Sequence, residues 1–342
     1  MALLAAGIQC SAAAKGQALR SPWDGDPVAQ TDVPYQCPAP PQFKKSLYAE
    51  SYYVDASDSI VDPGRKQMFE KATKAPRHLG EWAGVAADAY RTSGSRAAAQ
   101  CAYALLRAAA SAKAWTDMMP TSQASYAQKW LLSSAAMAYL KVRKSGAGTA
   151  KQDKAIQKWF GSVARSVEIY VDDRRWDVNS DAWNNHLYWA GLAVAAAGIA
   201  RNDRGEFRWG LTAYKTGADE IRADGMLPRE MMRAGMALHY HLFALDALVM
   251  LAELGEANGI DLYAANDGAL ARLEKLCEAG LQRPEIFDVA TGVRQDMAPR
   301  IAGMEIGWAV PYAKHHPDAQ LAAWIHEAPT TRDWMWGGLP PA

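Results

Sequence analysis

The stretch that decides the fold runs from Arg229 to Glu256 and reads REMMRAGMALHYHLFALDALVMLAELGE. Apolar residues recur in it at offsets of four, three, four and three, which places them in one stripe on an α-helix. The stripe consists of Leu238, Leu242, Leu245, Val249 and Ala252. No segment of strand length shows a comparable alternation with period two. The pattern predicts one long helix over 229–256.

Similar Ala- and Leu-rich segments fill the rest of the chain from Lys66 onward, separated by short Gly, Pro, Asn or Asp punctuation. The other predicted helices cover 65–74, 79–92, 95–113, 122–144, 151–172, 184–200, 204–222, 266–282, 301–314 and 317–327. Consecutive helices with short connections pack as antiparallel hairpins, in a solenoid, a bundle or a closed ring. Because no regular repeat is visible, we predict an all-α fold in which the hairpins form one irregular α/α ring.

Composition divides the chain into three regions. Residues 1–14 are apolar and end in small residues, like the back half of a secretory signal peptide, although no basic segment precedes them. They predict export to the periplasm or the medium; the alternative is an apolar N-terminal helix. Residues 15–63 are rich in Pro, Asp and Ser and predict an extended lead-in on the surface. Residues 64–342 are expected to form one large domain.

Charge and hydropathy exclude some classes of partner. Lys+Arg and Asp+Glu number 37 each, whereas a protein that binds nucleic acid through phosphates normally has a basic excess. The longest uninterrupted apolar stretch, 191–200, is about half the length of a membrane span. We therefore expect a soluble protein, with no nucleic-acid or membrane partner, in which a local cluster of cations would hold any anionic ligand.

The cysteines point to an oxidising compartment. If residues 1–14 are removed, Cys37, Cys101 and Cys277 remain, which allows one disulfide and one free thiol. Cys37 lies in a Pro-rich coil and could pair with Cys101 on a helix. No Cys or His spacing is typical of a zinc site, so no metal is expected.

Two motifs carry residues suited to catalysis. The first is WNNHLYWA at 183–190, which opens an Ala-rich helix. The unpaired N–H groups and positive dipole of a helix start favour a neutral His186 imidazole and an anionic ligand. The alternative is that Asn185 and its neighbour only cap the helix around an interior histidine.

The second motif lies within 227–241. Arg233 and Tyr240 are seven residues apart, so on one continuous helix they share a face about 10 Å apart along the axis. They could face a cleft; alternatively, Arg233 pairs with Glu230 at the surface. His239 and His241 lie about 200° apart around that helix, so only one of them can face the cleft with Tyr240.

These motifs together resemble the family 5 polysaccharide lyases, the mannuronate-specific alginate lyases of the bacterial periplasm. The resemblance rests on WNNHLYWA, DGMLPRE at 224–230, Arg233 and ALHYH at 237–241, and extends to QKW at 128–130 and a Cys37–Cys101 pair. It implies an incomplete α/α toroid and β-elimination without a metal or cofactor. It also implies catalytic roles for Asn185, His186, Arg233 and Tyr240.

Physical chemistry suggests what each catalytic residue does. Elimination from a 4-O-linked uronate requires neutralisation of its carboxylate, which suits the Arg233 guanidinium and the Asn185 amide. His186 is the natural base for the C5 proton, and Tyr240, with a pKa that Arg233 would lower, is the natural acid for O4. In the alternative mechanism Tyr240 performs both proton transfers.

Substrate preference is expected to depend on positions that differ from the family pattern. Tyr52 occupies an apparent family Lys position, His239 stands in place of an Ala, and Phe243 in place of a Tyr. His239 could gain charge between about pH 5 and 8 and so alter the preference among uronans. The predicted contacts to an anionic polysaccharide are Gln128, Tyr188, Trp189, His239, Tyr52, Tyr53, Arg300 and Arg332.

Other function classes remain open at this point. A chain with 13 Trp and 14 Tyr but 6 Phe suits a groove that stacks sugar rings, although Trp also fills helix interfaces. A glycoside hydrolase would need two carboxyl groups flanking the bond, and no such acid pair is seen in the matched motifs. A non-catalytic periplasmic glycan-binding protein is the other alternative. We expect a monomer.

Overall fold

The computed structural model describes residues 16–296 and 303–341, and in these ranges the regular structure is helical, with isolated β-bridges and no strand. The predicted all-α class is confirmed. The α-helices of the described chain are α1 (Pro63–Ser93), α2 (Arg96–Ser111), α3 (Ser122–Val142), α4 (Ala150–Asp172), α5 (Asn185–Arg201), α6 (Arg204–Glu220), α7 (Pro228–Met231), α8 (Ala237–Glu256), α9 (Ala265–Gln282), α10 (Glu285–Thr291), α11 (Ala309–His315) and α12 (Ala319–Glu327).

The helices form two layers of antiparallel hairpins. Helices α1, α3, α5 and α8 pack side by side in that order, and α2, α4, α6 and α9 each pack behind one of them. Inner helices α5 and α8 are buried along almost their whole length, because most of their residues, on every face, are small or apolar. The segment Ala234–Glu256 is long and apolar enough to cross a membrane, but most of it is buried inside the protein.

A glycine pair sets the close approach of α5 and α6. A Cβ on Gly210 would stand 2.5 Å from the carbonyl oxygen of Gly191, and a Cβ on Gly191 would stand 2.6 Å from the Cβ of Ala213. Any larger side chain would force the two helices apart. This contact fixes the position of α5, which carries the WNNH motif at its start.

Two predicted helix boundaries were wrong. The sequence suggested separate helices over 65–74 and 79–92, yet α1 runs through Pro76, whose buried ring packs in the core. Conversely, the predicted helix 229–256 is broken between α7 and α8, where Ala234 has a φ of 47°. Gln295 stabilises the break: its Oε1 accepts the Leu238 N–H and its Nε2 donates to the Ala234 carbonyl.

The C-terminal half contains smaller differences from the prediction. Helix α10 was not expected, and α11 begins at Ala309 rather than at 301. In α9 the regular helix starts later than predicted, because Asn266, Asp267 and Gly268 have positive φ.

The lead-in 16–62 lies along the helices without regular structure of its own apart from a 3-10 turn. Its disulfide joins Cys37 to Cys101 on α2 with a Cα–Cα distance of 5.4 Å, as predicted, and Cys277 is buried as a free thiol. Residues 52–62 fold back on themselves through hydrogen bonds from Val54 to Ile60 and from Asp62 to Tyr52. This hairpin reaches the cleft described below. The signal-like residues 1–14 lie outside the described ranges.

Candidate active site

A cleft of about 470 Å³ opens between α1, α3, α8 and the lead-in hairpin. Aromatic rings are the commonest side chains in its wall, and they belong to Tyr52, Tyr53, Phe69, Tyr126, Trp130, Tyr240, Phe243 and Trp334. The charged side chains along it are Asp58, Lys66, Glu70, Arg77 and Arg233. An apolar wall with a few cations suits an anionic sugar polymer, whose ring faces stack and whose carboxylates need counter-charges.

His186 lines this cleft at the start of α5. The Asn184 side chain caps the helix by accepting the His186 N–H, so the capping expected from the sequence is present. The imidazole stacks on the Tyr126 ring with 3.6 Å between centroids and an angle of 12°. Burial, Lys129 and Arg233 lower the pKa of His186 well below its usual value. This shift favours the neutral imidazole, which is the form that can accept a proton.

Asn185 is fully buried and is held by a carboxylate. Its backbone N–H donates to one oxygen of Glu230 at 2.8 Å, and its Nδ2 donates to the other at 2.8 Å. Burial raises the pKa of Glu230, although Arg233 and both Asn185 bonds oppose this. Asn185 is not among the residues that line the cleft. Its direct contact with a substrate carboxylate therefore stays a prediction.

Arg233 reaches the cleft in a way that the sequence did not anticipate. It sits in the break between α7 and α8, so it does not share a helix face with Tyr240. Its Nε and Nη2 donate to the carbonyls of Ser57 and Asp58 at 3.0 Å each, and it does not pair with Glu230 by hydrogen bond within the described chain. Its guanidinium lies 3.6 Å from the Tyr240 ring centre. Arg233 thus joins the lead-in hairpin to Tyr240.

Tyr240 is protonated in this setting. Burial raises the pKa of its phenol above the usual value, even though Arg233 acts in the opposite direction. Arg233 does lower this pKa, as expected, but burial has the larger effect, so the net shift is upward. The Tyr240 hydroxyl lies 2.6 Å from that of Tyr53. The raised pKa favours the protonated phenol over the phenolate, and the protonated form is the one that a proton donor needs.

Three more predicted residues line the cleft: Tyr52, Tyr53 and His239. Burial, followed by Arg233, lowers the pKa of His239 to about 4. The expected change of charge between pH 5 and 8 is therefore not supported, since the ring is neutral over that range. His241 faces the interior, where its Nε2 accepts the Leu227 N–H.

Four predicted sugar contacts are placed elsewhere. Gln128 is buried and donates to the carbonyls of Trp115 and Asp117. Trp189 is fully buried, with its indole N–H on the Phe243 carbonyl. Tyr188 is buried in the core, and Arg332 pairs with Asp88. None of these four side chains lines the cleft, because each one packs in the core or bonds to another part of the protein. Arg300, the last of the eight predicted contacts, lies outside the described residues.

The sequence interpretation missed several cleft residues. Tyr126 and Trp130 are one helical turn apart on α3, beside the QKW motif, and this spacing could have revealed them. On α1, Lys66 and Arg77 share one face with Phe69 and Thr73, but the wrong break at Pro76 hid that face. Among the described residues, no group of three or more His, Cys, Asp or Glu side chains could hold a metal ion.

Comparison with known proteins identifies the family. A model of the Alginate lyase family matches residues 46–287. The chain is 38% identical over 287 residues to a polysaccharide lyase of Stenotrophomonas maltophilia (strain K279a), covering 82% of each protein. It is 32% identical over 289 residues to an alginate lyase of Pseudomonas syringae pv. syringae (strain B728a), covering 82% of this chain and 75% of that protein.

Solved structures establish the architecture. Alginate lyase A1-III from a Sphingomonas species matches with a TM-score of 0.76 at 24% identity, covering 96% of this chain and 89% of that one. A variant of that lyase complexed with a tetrasaccharide matches with a TM-score of 0.79 at 24% identity, covering 95% and 90%. The predicted α/α toroid is thus confirmed. Sequence and fold agree that the chain belongs to the alginate lyase family.

Proposed function

We propose that this protein is a polysaccharide lyase that cleaves 4-O-linked uronate polymers, with polymannuronate, the mannuronate form of alginate, as its first substrate. The cleavage is a β-elimination: a base removes the C5 proton, the C4–O4 bond breaks, and an acid protonates the departing O4. The products are a chain with a new reducing end and a chain with an unsaturated uronate at its non-reducing end. Membership of the alginate lyase family supports the reaction class.

One observation carries the assignment of roles. The same cleft holds a neutral imidazole at His186, a protonated phenol at Tyr240 and a permanent cation at Arg233. These are the base, the acid and the charge stabiliser that β-elimination needs. If Tyr240 alone moved both protons, it would first have to be a phenolate, and its raised pKa disfavours that form. We therefore favour His186 as the base and Tyr240 as the acid.

The two alternative functions are less well supported. A glycoside hydrolase needs a pair of carboxyl groups across the bond. Asp58 and Glu70 line the cleft, but neither belongs to the motifs shared with the lyases, and Glu230, which does, is buried and bonded to Asn185. A binding protein without catalysis would not need a proton acceptor and a proton donor in the same cleft.

The deciding experiment uses purified protein with polymannuronate, polyguluronate, polyglucuronate and hyaluronan. The ultraviolet absorbance of the unsaturated uronate end reports elimination directly. We expect this absorbance to rise fastest with polymannuronate and to persist in the presence of a chelator. New reducing ends without that absorbance would identify a hydrolase, and binding without either product would identify a glycan-binding protein.

The same proposal includes location and assembly. A disulfide between the lead-in and α2 is compatible with the periplasm or the medium, where thiols are oxidised. We expect the protein there as a monomer that does not associate with membranes. Cell fractionation with thiol alkylation and gel filtration would test this; a cytoplasmic pool with two reactive thiols at Cys37 and Cys101 would contradict it.

A further inference from the structure

Lys129 is a buried lysine that the proposed mechanism does not use. It lies on α3 with 1% of its surface exposed, and its Nζ has no hydrogen-bond partner within residues 16–296 and 303–341. An ammonium group that is buried without a hydrogen bond costs folding free energy, because the contacts it gains do not replace the water it loses. Because the ammonium group of Lys129 makes no hydrogen bond that would offset this free energy, we look for a functional role.

The surroundings of Lys129 connect it to the cleft. Its Nζ lies 4.4 Å from the centre of the Tyr126 ring, and the same ring stacks on His186 at 3.6 Å. The Tyr126 hydroxyl donates to Asp181 at 2.6 Å, which fixes the ring in the plane that meets the imidazole. Tyr126 therefore contacts both the ammonium and the imidazole, and the three groups form a continuous row.

We propose that Lys129 is a positioning residue that acts from behind Tyr126 to keep the His186 imidazole uncharged and available as the base. The proposal rests on the proposed function, because it gives His186 that role. Lys129 does not line the cleft and would not touch substrate.

The charges around His186 favour this effect. On the basic side stand Lys129 and Arg233, and both lower the pKa of His186 in addition to burial. Asp181, from the turn before α5, is engaged by the Tyr126 and Tyr170 hydroxyls and faces Arg174 at 3.8 Å.

The remaining charged and titratable groups lie on the other elements around the cleft. Glu230 of α7 is bonded to Asn185, and Tyr53 of the lead-in is bonded to Tyr240 of α8. His239 of α8, Asp58 of the lead-in hairpin and the α1 residues Lys66, Glu70 and Arg77 line the cleft itself.

The titration of Lys129 fits the role. Burial, opposed by Asp181 and aided by Arg174, lowers its pKa to about 7. Below that pH the ammonium is charged, and this is the range in which His186 would otherwise take up a proton. Lys129 therefore opposes protonation of His186 where it matters most, on the acidic side of neutrality.

The test replaces Lys129 with an apolar residue of similar length, Lys129→Met. Without the nearby charge, we expect the pKa of His186 to rise, and the acidic limb of the kcat/KM profile to move upward by about one pH unit. An NMR titration of the His186 imidazole measures the first effect without substrate. Lys129→Arg, which keeps the charge, should restore the wild-type limb.

The matched control is Lys141→Met. Lys141 is also buried on α3, but it pairs with Asp88 at 2.6 Å and donates to the Gly337 carbonyl. We expect this variant to lower Tm and to leave the pH limb unchanged. Lys129→Met should instead have a Tm no lower than wild type below pH 7, because the folded state no longer holds a buried charge that the unfolded state solvates.

The outcomes separate the two proposals. A wild-type protein that forms no unsaturated product would refute the lyase function, yet the NMR titration would still report on Lys129. An active wild type whose His186 titration and acidic limb are the same in Lys129→Met would overturn the positioning role. So would a hundredfold loss of turnover at every pH with unchanged His186 titration, since Lys129 would then act in the chemistry itself.

Discussion

The hydroxyl oxygens of Tyr53 and Tyr240 lie 2.6 Å apart although 187 positions separate them in the chain. Tyr53 belongs to the lead-in and Tyr240 to α8, so this bond closes the cleft and fixes the phenol of the proposed acid. Arg233 reinforces the contact, because its guanidinium lies 5.6 Å from the Tyr53 ring centre and 3.6 Å from that of Tyr240.

Tyr53→Phe keeps the ring and removes this hydroxyl. We expect turnover to fall by roughly tenfold, the scale of one net hydrogen bond, because the Tyr240 phenol loses a partner that orients it. Steady-state kinetics on polymannuronate would measure the loss. Tyr48→Phe, an exposed lead-in tyrosine, is the control and should retain wild-type rates; equal losses in both variants would contradict the prediction.

Tyr240→Phe removes the proposed proton donor and leaves the aromatic wall intact. General acid catalysis typically contributes at least about a hundredfold, so we expect a loss of that size in kcat with substrate binding largely kept. Calorimetric binding of uronate oligomers together with turnover separates the two effects. Near-native turnover would show that another group protonates O4.

Arg233→Lys keeps a charge but cannot hold the carbonyls of Ser57 and Asp58 in the same geometry. We expect kcat to fall by at least about tenfold and hydrogen exchange to increase over residues 52–62, because the hairpin loses its anchor. Arg65→Lys, whose exposed side chain contacts the same hairpin at 3.5 Å, is the control. A large loss of kcat without faster exchange would limit Arg233 to the chemistry.

Glu230→Gln replaces a carboxylate, whose two oxygens accept hydrogen bonds from Asn185, with an amide that has only one acceptor oxygen. The N–H groups of the new amide would face an Asn185 donor in the buried interior, so we expect reduced stability and at least about tenfold lower turnover. Glu220→Gln is the matched control, because its partner Arg229 lies 3.4 Å away in a partly exposed pair. Thermal melts and steady-state kinetics compare the two. The prediction fails if the two variants have equal Tm and equal activity.

The lowered pKa of His241 makes the free energy of unfolding depend on pH. Its pKa in the folded protein is lowered to about 4, chiefly by burial, against about 6.5 when unfolded. Between these values the unfolded state binds the extra proton, so stability falls as pH decreases from about 6.5 to 4, by up to about 3 kcal/mol from this group.

The corresponding experiment measures urea unfolding from pH 7 to 4. His241→Gln keeps a polar side chain that can accept the Leu227 N–H, and it does not titrate in this range. The variant should lose less stability than wild type over that interval. Parallel curves for the two proteins would show that other groups dominate the acid response.

Local sequence was sufficient for the helices and for the main catalytic candidates. Ala- and Leu-rich composition and terminal signals identified α3, α5, α6 and α8, because helix propensity and caps are properties of neighbouring residues. They failed at Pro76 and at Arg233, where packing and the Gln295 side chain decide whether a helix continues. Those decisions depend on partners that are far away in the chain.

Sequence by itself determined the helical class, the disulfide pairing and the presence of His186, Arg233 and Tyr240 in one site, since these follow from periodicity and from family motifs. Only the tertiary structure decided which side chains face the cleft: it turned Gln128 and Trp189 inward. It also decided the protonation of the proposed acid and base, because a pKa depends on burial and on charges brought together across the fold. The sequence gives the identity of each ionisable group, but the fold determines how far that group is exposed to solvent and which charges lie near it.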